Sequence, residues 1–84
     1  MRYTVIWAPI AQNQLAQMWL EALDRSAISQ SSDRIDELLA TDPHKHGSNL
    51  REGLNKLQVY PLRVIFEIDD ADCKVRVVRI SLVG

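Results

Sequence analysis

Cysteine is nearly absent from this sequence: Cys73 stands alone among 84 residues. No intramolecular disulfide is therefore possible, and an intracellular, cytoplasmic location is the simplest reading. No run of 18 apolar residues occurs, so no membrane span is expected. Met1-Arg2-Tyr3 leads straight into a strand pattern, so no signal peptide is expected. Gly-rich phosphate loops and Ser/His/Asp arrangements are also missing. Neither sign of charge dominates: ten basic against eleven acidic side chains give −1. A free-standing nucleic-acid binder usually carries a stronger basic excess, because phosphate neutralisation supplies most of its non-specific affinity.

That small net charge hides an asymmetry. Residues 1–42 hold three basic side chains against six acidic ones, a balance of −3, whereas residues 43–84 hold seven against five, a balance of +2. The length fits one domain over 1–84, burying only about 60–65% of the surface its unfolded chain exposes. A hydrophobic fraction of 46% is ordinary for a globular protein and argues against disorder.

The most regular stretch is Leu54 to Asp69, two β-type runs joined at Tyr60-Pro61. Leu62, Val64, Phe66 and Ile68 alternate with Arg63, Ile65, Glu67 and Asp69, a period of two that a strand turns into one apolar and one mixed face. Leu57 and Val59 continue the apolar set before the proline. Residues 2–7 read as a first strand, and Pro9 suits the first turn of a helix. Ala11, Leu15, Met18, Trp19 and Ala22 form one helical face, with both Trp7 and Trp19 expected in the core. Asp24-Arg25-Ser26 offers caps for a second helix, whose face runs through Ile28, Ser31, Ile35, Leu38 and Leu39 until Asp42-Pro43 ends it.

Residues 43–53 read as a polar surface loop. Asp69 to Asp72 signals a turn, and Cys73 to Leu82 is the last strand. Its alternation slips at Val77-Val78. Strict pleating would place Arg79 with Val75 and Val77, whereas a bulge, the expected solution, places Arg76 and Arg79 together. The predicted fold class is α+β, in the order β-α-α-β-β-β. An antiparallel sheet carries a helical pair packed on one face.

Several residues invite chemistry and have plainer readings. His44 and His46 lack a third ligand and read as solvated loop histidines. Asp69, Asp70 and Asp72 lack the glycine and glutamate of a calcium loop and read as a hairpin turn. Cys73 has no base partner and reads as a buried thiol. No metal or cofactor is expected. The remaining candidates are the cations of the open sheet face: Lys56, Arg63, Arg76 and Arg79, with Arg51 from the loop. Side chains on neighbouring strands, about 4.8 Å apart, can converge on one phosphate. The competing reading is a solvated face neutralised by Glu52 and Glu67. Arg63, at a strand centre, has the most rigid mount.

The order of elements resembles the RelE/ParE superfamily of toxins from type II toxin–antitoxin (plasmid stabilisation) modules. So does the local text: Val5-Ile6-Trp7, Ala11 and Leu15, Arg34 to Pro43 as RIDELLATDP, PLRVIFEID and VRVVRI. The resemblance spans nearly the whole chain. It implies a toxin neutralised by a small antitoxin, with either ribosome-bound mRNA or DNA gyrase as target. If the chain is an enzyme, the resemblance implies an mRNA endoribonuclease. Arg63 matches the family's arginine on the strand after the turn, and Lys56 a lysine on the strand before it. Two departures stand out: Leu54 replaces a second lysine of the nucleases, and the sequence stops at Ser81 to Gly84, about where their C-terminal acid/base residue would follow. Cleavage through a ribose 2′-hydroxyl needs a proton acceptor, a proton donor and charge stabilisation. This sequence offers the last, which leaves an inactive, antitoxin-binding homologue as the alternative.

Overall fold

A computed structural model describes residues 2–83. The chain runs through β1 (Thr4–Trp7), α1 (Pro9–Glu21), α2 (Arg25–Thr41), α3 (Pro43–His46), β2 (Ser48–Arg51), β3 (Leu54–Val59), β4 (Leu62–Asp69) and β5 (Lys74–Leu82). One five-stranded sheet has the order β1-β5-β4-β3-β2. The β2 to β5 meander is antiparallel, and β1 closes its edge parallel to β5. This is the expected α+β architecture with two differences. The sheet is mixed rather than antiparallel throughout, and the segment expected as a loop holds a helical turn and an edge strand.

Local chemistry explains the helices. Pro9 opens α1 where its missing N–H costs nothing. Asp24 caps α2, its side chain accepting from the Ala27 N–H at 3.1 Å. The Arg25 guanidinium lies 4.7 Å above the Trp19 ring and donates to the carbonyls of Trp19 and Leu20, closing the end of α1. Asp42 both ends α2 and caps α3, accepting from the Lys45 N–H at 3.2 Å. The Tyr3 N–H donates to the Ala40 carbonyl at 2.8 Å, so the end of α2 returns to the start of β1.

The core lies between the helices and one sheet face. Leu62, Val64 and Phe66 of β4 meet Val75, Val77 and Ile80 of β5, under Ala11, Ile28, Ile35 and Leu39. These are the apolar sets the periodicity gave. Ser31, also buried, donates its hydroxyl to the Val59 carbonyl. Beyond the end of β1, the Gln14 side chain accepts from the Ile80 N–H at 3.0 Å, taking the place of the missing strand partner. Gly47 passes so close to the Phe66 ring that a Cβ there would collide with it. Trp7 is half-buried, but Trp19 is 41% exposed.

The bulge in β5 is present. Arg79 lies opposite Ile65 and Val77 opposite Phe66, which leaves Val78 without a cross-strand partner. Alternation alone would have driven Arg79 into the core. One extra residue instead puts Arg76 and Arg79 on the open face with Ile65 and Glu67.

Candidate partner-binding face

Two groups of side chains fall on the open face. Lys56 sits opposite Ile65, and Arg63 opposite Gln58 on one side and Ser81 on the other. Lys56 and Arg63 are therefore diagonal neighbours on adjacent strands, with Cβ atoms about 7 Å apart by sheet geometry. Both are partly buried. The Arg63 Nε is enclosed and has no hydrogen-bond partner among the described residues. An enclosed donor without an acceptor costs about 1–3 kcal/mol, so an arginine held this way is unusual for a merely solvated surface.

The second group surrounds a groove of about 570 Å³. Its floor is aliphatic: Ile10, Leu50, Leu54, Ile65 and Val78. Arg51, Arg76 and Arg79 stand around it, with Glu67 as the single carboxylate. Neither Arg63 nor Lys56 lines this groove. The structure thus separates the expected cluster into a diagonal pair, Arg63 with Lys56, and an arginine-rimmed groove holding Arg76 and Arg79. Arg51 reaches the groove because β2 is a strand and not a loop.

Neutralisation by Glu52 and Glu67, the plainer reading of this face, does not occur. The ion pairs among the described residues are Arg34 with Glu37 at 3.1 Å and His44 with Asp70 at 2.8 Å. Glu67 lies opposite Arg76 in the ladder without forming an ion pair with it.

A different cluster sits at the β4–β5 turn. The Tyr3 hydroxyl donates to Asp70 Oδ1 at 2.6 Å, and His44 Nε2 meets the same oxygen at 2.8 Å. His44 and Tyr3 rings approach edge to face with centroids 6.3 Å apart. His44 is therefore tied to Asp70 rather than simply solvated. Cys73, expected as a buried thiol, is half-buried and takes a left-handed backbone, φ 51°. Among the described residues, no three His, Cys, Asp or Glu side chains are grouped to hold a metal ion.

The hydrogen bond from Tyr3, then that from His44, lowers the Asp70 carboxyl below its ordinary value. The same bond to Asp70 pushes the Tyr3 phenol up to about 12. A depressed carboxyl stabilises the fold above its unfolded value and loses that contribution as pH falls through the folded one. A raised phenol contributes below its unfolded value, about 10, and loses it as pH rises towards 12. The urea midpoint should therefore fall both below about pH 4 and above about pH 10. Asp70→Asn should flatten both limbs; an unchanged pH profile in that variant would show that the cluster contributes nothing.

Between α1 and α2 lies a further cleft of about 630 Å³, walled by Leu15, Trp19, Leu20 and Ile28, with Asp36 beside Trp7. The Trp7 indole donates to Asp36 at 2.7 Å and the Trp19 indole to Ser29 at 3.2 Å. Sequence reasoning placed both rings in the core and so missed this cleft.

No protein-family model matches the chain, and no curated protein matches it by sequence. Solved structures do match it. A chain of the Mycobacterium tuberculosis RelBE2 toxin–antitoxin complex superposes with a TM-score of 0.82 at 21% identity, covering 98% of this chain and 92% of that one. A chain of the Pseudomonas aeruginosa ParDE toxin–antitoxin system gives 0.73 at 13% identity, covering 99% and 98%. The free Escherichia coli RelE toxin, as a double mutant, gives 0.71 at 15% identity, covering 98% and 84%. This chain has the fold of the RelE and ParE toxins.

Proposed function

We propose that the chain is the toxin component of a type II toxin–antitoxin module, neutralised by a cognate antitoxin. The observation that carries this reading is the open sheet face itself. The sheet presents arginines that form no ion pair among the described residues around an aliphatic groove, on a fold matched over nearly its full length by chains solved with antitoxins. Exposed apolar surface rimmed by charge is the usual form of a partner-binding face. Among the described residues no helix is long and apolar enough to cross a membrane, and with a single cysteine the chain fits a cytoplasmic site of action.

The target is ribosome-bound mRNA or DNA gyrase. For mRNA, Arg63 and Lys56 would hold the scissile phosphate, with Arg76 and Arg79 stabilising the charge that develops on it. The diagonal placement of Arg63 and Lys56 supports that assignment. A homologue that only binds an antitoxin would use the groove alone.

Induced expression with and without the neighbouring small gene tests the reading. The expected result is growth arrest that co-expression relieves. Arg63→Ala should relieve it too if mRNA cleavage is the cause, and message on programmed ribosomes should then stay uncut. Normal growth on induction of soluble, folded protein would remove the toxin reading.

A further inference from the structure

We propose that the arginine-rimmed groove recognises a protein segment by charge pattern. Aliphatic side chains would rest on its floor, carboxylates would face Arg51, Arg76 and Arg79, and one basic side chain would face Glu67. The inference rests on the toxin reading and names the chemistry of the partner at that face.

Three features separate a protein segment from a nucleic acid. The floor of Leu50, Leu54, Ile65 and Val78 carries no aromatic ring. Single-stranded nucleic acids are held largely by stacking on aromatic side chains, and aliphatic floors suit aliphatic side chains. The second feature is Glu67. A phosphate chain along the groove would bring like charge against this carboxylate, whereas a peptide can place a cation there. Thirdly, neither Glu67 nor any of the three arginines forms an ion pair among the described residues. Both signs of charge are thus unmatched within one groove, and a mixed-charge partner satisfies both.

Glu67 becomes the residue that sets register and selectivity, since mismatched charge at an interface rejects wrong partners. Its exposure and its place on a central strand let it be reversed without disturbing the core face of β4.

Two fluorescein-labelled synthetic peptides of twelve residues, alternating leucine and glutamate, test this by anisotropy at low salt. One carries a central lysine in place of a glutamate. A dodecamer of uridylate serves as the nucleic-acid arm. The lysine peptide should bind the full chain about tenfold more tightly than the all-glutamate peptide. Glu67→Lys should reverse that order, and Glu67→Gln should abolish the difference. Equal affinity for the two peptides, an order unchanged by Glu67→Lys, or no peptide binding would overturn the proposal. Tighter binding of the uridylate than of either peptide would also overturn it, assigning the groove to nucleic acid. The toxin reading fails separately: growth arrest relieved by the neighbouring gene, with no peptide preference, would sink the charge pattern alone.

Discussion

Phe66→Ala is expected to lower the unfolding free energy by about 3–5 kcal/mol, the usual loss for a large buried aromatic. Phe66 has no exposed surface and sits at the middle of β4, where the sheet core meets the turn at Gly47. A domain of this size holds only about 5–15 kcal/mol in total, at the lower end for so short a chain. The variant should therefore be largely unfolded at modest urea concentrations, with α1 and α2 lost in the same transition. Gly47→Ala pushes on the same ring from outside and should destabilise in the same direction by a smaller amount. Urea denaturation followed by circular dichroism measures both. A Phe66→Ala midpoint close to that of the parent would mean that the core is not where the structure puts it.

The second large effect is functional. The double reversal Arg76→Glu with Arg79→Glu should weaken binding of the partner segment by about 3 kcal/mol, on the order of a hundredfold. Both side chains are exposed, so thermal unfolding should barely move. That combination matters, because lost binding with intact stability separates a docking role from a structural one. Reversing Arg25 and Arg34 on the helical side serves as the comparison. It should cost stability through the lost cap at the end of α1 while leaving sheet-face binding in place.

The bulge explains how the second prediction could be read from sequence at all. Val77 and Val78 are both β-branched, and strict alternation would have buried Arg79, so the cost of an unpaired interior charge selects the extra residue. The alternation of β4 and the helical faces through Ile28, Ile35 and Leu39 were equally readable, because burial writes a period into the chain. Other features leave no such mark. Ser48 to Arg51 contains no β-branched residue and becomes a strand only by pairing with β3. That pairing brings Arg51 to the groove. The parallel match of β1 to β5 joins residues about seventy positions apart, which local pattern cannot encode. Asp70 meets His44 and Tyr3 across 26 and 67 residues, for the same reason. Glu67 is visible in the sequence as a charge, but its place in the groove depends on tertiary placement.

In the proposed binding mode, partners engage the bare face of the sheet through arginines aligned by the β5 bulge. Arginine Nε–H resonances of the labelled chain, followed while the protein encoded beside it is added, report on this directly. Large shifts at Arg51, Arg76 and Arg79, with Arg25 and Arg34 unmoved, are predicted. Shifts confined to Arg25 and Arg34, with the sheet arginines silent, would place the partner on the helical layer and contradict the account.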